Sequence, residues 1–137
     1  MEDKIFQVGG DVFAAEDSPD GQHSAFFEDD GETGYFYAID LTRSDNMILD
    51  AVHIYNVANV VDRGRPSTLS IVWSKDGLKC ALLINHYPHA AFDFAAQHGY
   101  CRTNFPNFSK QSKGCWPSSD HSWSDDAIEW LGSKETQ

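Results

Sequence analysis

The sequence predicts a mainly β (α+β) fold: a single antiparallel sheet, or a partly closed barrel or sandwich, carrying one C-terminal helix. Three observations predict it. Seven short segments are rich in β-branched and aromatic residues, the Asp-Gly pairs at 30–31 and 76–77 read as hairpin turns between such segments, and one capped apolar stretch lies near the end.

The first segment, VFAAE (12–16), is short and apolar. QHSAFFED (22–29) and TGYFYAID (33–40) flank Asp30-Gly31-Glu32, which reads as a hairpin with its acids at the turn. MILDAVHIYNV (47–57) is long enough for a central strand. VANVVDRGRP (57–66) either continues that strand or makes one helical turn before Gly64 and Pro66. STLSIVWSK (67–75) places Leu69, Ile71 and Trp73 on one face and Ser70, Val72 and Ser74 on the other. LKCALLIN (78–85) follows across Asp76-Gly77, a two-residue hairpin signal, because glycine accepts the positive φ of a primed turn. HAAFDFAA (89–96) sets Ala91, Asp93 and Ala95 against Phe92 and Phe94, with Pro88 at its start. Residues 103–122 read as a long irregular connection. The helix begins at Ser124, a good N-cap, with Asp125 and Asp126 against the positive end of the dipole. Ala127, Ile128, Trp130 and Leu131 form its apolar face, Gly132 stops it, and Trp123 is placed to staple against Ala127 or Ile128.

The chain has 137 residues, the size of one domain (1–137), and is 41% hydrophobic, too apolar for a disordered chain. No apolar run approaches the ~20 residues of a membrane span, so no membrane partner is expected. MEDKIFQVGG lacks the basic and apolar regions of a secretory signal, which points to the cytoplasm. Three cysteines, Cys80, Cys101 and Cys115, are an odd count without such a signal and argue against a disulfide framework. With 10 basic and 21 acidic residues the net charge is −11. Phosphate backbones repel this balance, so nucleic acid is not an expected partner, whereas a basic protein would be steered in.

Chemistry-bearing residues are few. FFEDDGETGYFY (26–37) clusters Glu28, Asp29, Asp30 and Glu32 between aromatic residues. A calcium loop fails on spacing, since Phe26 falls at the first ligand position and Tyr37 where the bidentate Glu belongs. The four acids are expected at an exposed hairpin end, as partner-binding residues together with Phe108 and Trp116 from the aromatic-rich 103–123 stretch. His98, Cys101, Cys115 and His121 spell H-x2-C, thirteen residues, then C-x5-H, which is the nearest approach to a zinc set. The spacing is loose, so they are expected not to converge, and neither a metal nor another cofactor is expected. His86 and His89, three apart on a strand, would face opposite sides. Ser119, Asp120 and His121 are sequence neighbours that point apart, no serine sits in a glycine elbow, and no glycine loop matches a phosphate template. No catalytic residue is assigned.

EDDGETGYFYAID, DAVHIYNV, IVWSKDGLKCALLIN, HAAFDF, GYCRTNFP and WSDDA resemble the motifs of a bacterial family of small uncharacterised proteins, domain-of-unknown-function family two thousand two hundred and fifty-one. The resemblance spans most of residues 8 to 131 and leaves Cys115 outside its pattern. It implies a bacterial, intracellular protein and brings no catalytic residues with it. The leading functional expectation is a non-enzymatic acidic binding protein acting by protein–protein contact, for example an immunity protein neutralising a basic bacterial toxin. The alternative is a small-molecule- or metal-binding regulatory domain.

Overall fold

The computed structural model describes residues 2–103, 116 and 121–132. Within them lie nine strands: β1 (Lys4–Phe6), β2 (Val12–Asp17), β3 (His23–Asp29), β4 (Thr33–Asp40), β5 (Ile48–Asn56), β6 (Ser67–Trp73), β7 (Lys79–Ile84), β8 (Tyr87–Asp93) and β9 (His98–Cys101). They form two antiparallel sheets, ordered β1-β6-β7-β8-β9 and β2-β3-β4-β5. The mainly β architecture is therefore realised in its sandwich form, with no closed barrel. The single turn of helix allowed for after β5 is there, at Val57–Asn59.

Period-two alternation puts one face of every central strand inside. Leu69, Ile71 and Trp73 of β6 point inward as the alternation predicts, opposite Ile84, Leu82 and Cys80 of β7. Ala25 and Phe27 of β3, Phe36 and Ala38 of β4, and Val52 and Ile54 of β5 answer them from the other sheet. The rings interlock across the interface. Phe36 stacks on Phe92 at 4.9 Å, and Phe6 meets Phe27 edge-on at 5.7 Å. The Trp73 indole N–H donates to the Glu16 carbonyl at 2.9 Å, so the largest inward ring also satisfies its polar atom across the two sheets.

Three strand boundaries differ from the sequence reading, each for a local reason. The Asp76-Gly77 connection is longer than two residues, because Ser74 N–H bonds the Lys79 carbonyl at 2.8 Å and the Ser74 hydroxyl and Asp76 carboxylate fill the loop between them. β8 starts earlier than expected, since Asn85 and His86 both adopt positive φ (53° and 66°) and make a tight reversal out of β7. Pro88 is consequently inside β8, opposite Leu83 at a register shift where the ladder needs no donor from it. The same strand stops at Asp93, whose carboxylate takes the Ala96 N–H at 3.0 Å, and Gln97 turns the chain at φ 56° into β9. The short strands β1 and β9 carry too little pattern to be read in advance.

The C-terminal helix, Asp125–Gly132, is wound as a 3-10 helix. The Ser124 hydroxyl accepts the Asp126 N–H at 3.3 Å, which is the expected cap. Trp130 is buried against Ala81 and Ala91, two small residues on the outer face of the β1-β6-β7-β8-β9 sheet. Trp123 stands just before the cap. Its ring lies 4.0 Å from the Arg102 guanidinium, and its N–H donates to Asp125. The helix thus covers one outer face of the sandwich, and no described element covers the other, that of β2-β3-β4-β5. Among the described residues no helix is long and apolar enough to cross a membrane.

Candidate functional site

The acidic hairpin separates into one buried and three exposed carboxylates. Asp29 does not stand at the tip: it is 1% exposed. Alternation on β3 turns it inward, below Phe27, and it accepts three hydrogen bonds there. The Tyr55 hydroxyl donates at 2.6 Å, Gly9 N–H at 2.7 Å and Gly31 N–H at 2.8 Å. Burial, and then this carboxylate, push the Tyr55 phenol far above its ordinary value. A buried carboxylate needs such donors, because leaving it bare would cost several kcal/mol. Asp29 therefore joins the β1–β2 loop, the β3–β4 hairpin and β5. Gly34, opposite Tyr55 in the ladder, leaves room for the ring: a Cβ there would stand 2.7 Å from it. Asp30 folds the turn, accepting the N–H groups of Glu32 and Thr33 at 2.9 and 2.8 Å, and these bonds hold its pKa below the ordinary carboxylate value. Glu28, Asp30 and Glu32 are exposed as expected.

Glu28 belongs to a second feature, the outer face of β2–β5. Phe13 and Glu28 pair across β2 and β3, Glu28 and Tyr35 across β3 and β4, and Tyr35 and His53 across β4 and β5. The neighbouring row holds Ala15, Phe26, Tyr37 and Ala51. Tyr35 stacks on His53 at 4.9 Å and on Tyr37 at 6.0 Å, while Phe13 and Phe26 meet edge-on at 5.2 Å. Phe13 is 54% exposed. The Tyr37 hydroxyl donates to Glu28 at 3.2 Å, and burial followed by the Glu28 charge pushes its pKa up to about 12. None of the four strands contains a lysine or an arginine, against six carboxylates. Sequence reading noted the tyrosines but missed Phe13, Phe26 and His53. The signal was the alternation itself, which assigns all of these rings to the face opposite Phe27 and Phe36.

Of the histidine and cysteine candidates, His98 and Cys101 face opposite sides of β9. His98 lies on the outer face of β9 beside Tyr100, at 4.5 Å, and Cys101 on the inner face. The Cys101 thiol contacts the His53 carbonyl at 3.5 Å and the Thr103 hydroxyl at 3.0 Å. His121 turns its Nε2 to the buried Asp50 carboxylate at 3.0 Å, and its carbonyl accepts the Cys101 N–H. Cys115 and Phe108 lie outside the described residues. Among the described residues no three His, Cys, Asp or Glu side chains are gathered as metal ligands would be. Trp116 is half-buried, its ring packed edge-on against Phe92 and Phe94 at 5.9 and 5.2 Å, so it serves the core.

A cleft of about 560 Å³ opens at the Asp29–Tyr55 end of the sandwich. Val8, Ile54, Val61 and Ile84 give it apolar walls, and Tyr55, Arg65, His89 and Thr103 give it polar ones. Burial, then the nearby Arg102 charge, lower the His89 pKa, so the imidazole is kept neutral.

These features define a mainly β protein of two antiparallel sheets, one outer face covered by a helix and the other aromatic and acidic. The chain belongs to the family described as "Uncharacterized protein conserved in bacteria (DUF2251)", whose profile matches residues 6–131. This is the family that the sequence motifs resemble. The chain is similar to an uncharacterized protein of Haemophilus influenzae, 38% identical over 135 residues, which amount to 98% of this chain and 81% of the relative. No solved structure matches it.

Proposed function

We propose that the protein is a non-enzymatic acidic binding protein that acts by contact with a basic protein, such as a bacterial toxin that it neutralises as an immunity protein. One observation carries this reading: charge is segregated along the chain and therefore on the fold. Residues 5–42 contain nine carboxylates and no lysine or arginine. The one lysine or arginine between residues 5 and 62, Arg43, already sits 3.3 Å from Asp40. A field of one sign speeds the approach of a cationic partner and repels nucleic acid. The buried titratable groups support the same reading, because Asp29 and Asp50 are held by structural partners. The test is calorimetric titration with a basic protein encoded beside this one, repeated from low to high salt. The expected result is a stoichiometric complex whose affinity falls as salt rises. Absence of binding, or binding indifferent to salt, would overturn the reading.

The cleft lined by Tyr55, His89 and Arg65 favours a second reading, a small-molecule-binding regulatory domain. A panel of small carboxylates screened by thermal shift tests it. No stabilisation by any of them, or equal stabilisation of a Val61→Trp variant that fills the mouth, would count against it.

A further inference from the structure

We propose that the partner is gripped by the outer face of β2–β5, and that the occupant is an arginine-bearing, partly apolar segment of a basic protein. This rests on the reading of the chain as an acidic binding protein and adds the surface and its chemistry.

The face has the components such a segment needs. Tyr37, Tyr35 and His53 form a ladder of near-parallel rings, with interplanar angles of 22° and 17°. A guanidinium is planar, weakly hydrated and attracted to the negative face of an aromatic ring. Glu28 stands beside the ladder, as cross-strand neighbour of Tyr35 and hydrogen-bond acceptor of Tyr37, where its carboxylate can take the fork of the same guanidinium. Lysine offers neither the plane nor the fork. Phe13, on the far side of Glu28 from the ladder, and Phe26, the cross-strand neighbour of Tyr37, are apolar and suit an aliphatic neighbour of the arginine. The chain already uses this chemistry internally, since the Arg102 guanidinium lies 4.5 Å from the Tyr87 ring and 4.0 Å from the Trp123 ring.

Charge selects among occupants. With no lysine or arginine on the four strands, a second copy would bring no guanidinium to the ladder and would set Glu28 against a like-charged face in a protein of net charge −11. Nucleic acid is repelled for the same reason. The equivalent face of the other sheet is closed by the C-terminal helix through Trp130, which shows how much apolar cover the chain applies where a face is meant to be internal. The hairpin-tip acids Asp30 and Glu32 then serve as the rim of the contact, and Asp29 takes no part.

The test is an NMR titration of the full chain with the acetylated, amidated pentapeptide Val-Arg-Val-Arg-Val, against the same peptide with citrulline for arginine. Shift changes are expected to concentrate on Phe13, Phe26, Tyr35, Tyr37 and His53. Glu28→Gln, which conserves shape at an exposed site, is expected to weaken binding about tenfold, and the citrulline peptide to lose it. Tyr37→Phe, which releases Glu28 from its internal bond, should bind at least as well as wild type. Shifts centred on Asp30, Glu32 or any other surface would overturn the face while leaving a basic partner in place. Shifts that follow protein concentration instead of peptide would assign the face to a second copy and overturn it too. If the peptide fails everywhere the face falls, and the titration with the neighbouring basic protein separately decides the broader reading.

Discussion

Asp29 is the residue on which three segments depend. Its carboxylate is buried and receives N–H groups from Gly9 and Gly31 and the hydroxyl of Tyr55. Replacing it with asparagine keeps the volume but removes the charge and one acceptor oxygen, so at least one of the three donors loses its partner. Asp29→Asn is expected to destabilise the fold by about 2–3 kcal/mol, the cost of a stranded buried donor plus the lost charge-assisted bonds. Urea unfolding checks this. A change below about 0.5 kcal/mol, the range of an ordinary surface substitution, would show that the triple contact does not hold in solution. Neutralising Glu32, exposed only a few residues away, should fall within that range. The contrast was not legible in EDD as three letters, because which of three consecutive acids faces inward depends on the phase of β3.

At the scale of the element, two hairpin turns repeat one design. Ser18-Pro19-Asp20-Gly21 joins β2 to β3, and Ser74-Lys75-Asp76-Gly77 joins β6 to β7. In each, the serine hydroxyl donates to the aspartate at 2.6 Å and accepts the N–H of the residue five along, at 3.1 Å in the first turn and 3.0 Å in the second. Each glycine has positive φ, 74° and 72°. The two turns abut, for a Cβ on Gly77 would lie 3.5 Å from Ser18 and Asp20. Both aspartates are held below the usual carboxylate value, first by the serine hydroxyl and then by a backbone N–H. The sign follows directly: a carboxyl whose folded pKa lies below its unfolded value stabilises the fold above about pH 4 and loses that contribution as pH falls through the lower, folded value. Ser18→Ala and Ser74→Ala are each expected to cost about 1 kcal/mol at neutral pH. Each variant should also lose less additional stability than wild type when acidified below pH 4. Equal acid sensitivity in denaturant titrations would refute the role given to the hydroxyl. Asp76-Gly77 was visible as a turn, but its length was not, since the serine that closes it reads equally well as the last residue of a strand.

For the whole molecule, the excess of acid is uneven: the strands of one sheet carry six carboxylates and no lysine or arginine, and Arg43 approaches them from a loop at Asp40. Such self-repulsion opposes compactness at low ionic strength and is screened over about 8 Å near physiological salt. Raising sodium chloride from about 10 to about 150 mM is therefore expected to raise the melting temperature by roughly 2–5 °C. Calorimetry checks this, and a melting point that falls with salt would mean that attractive surface pairs outweigh the repulsion. The same unevenness separates the two outer faces. One carries Ala81 and Ala91 beneath the buried Trp130 of the helix, while the other presents Tyr35, Tyr37 and Phe13 beside Glu28.

The sequence by itself determined the antiparallel β character, the inward set Leu69, Ile71 and Trp73, the capped terminal helix, the family and the excess of acid. These are local or additive properties: alternation within one strand, a serine before two acids, a sum of charges. Only the tertiary structure decided that the strands divide into two sheets, that Asp29 is buried while Glu28 is not, and that His98 and Cys101 occupy opposite faces of β9. It alone placed Phe13, Tyr35 and His53 in one row, though they stand on three different strands. Such outcomes depend on strand register and on which sheet each strand joins. Both are set by contacts between residues distant in the chain, where moving a strand by one residue exchanges its faces.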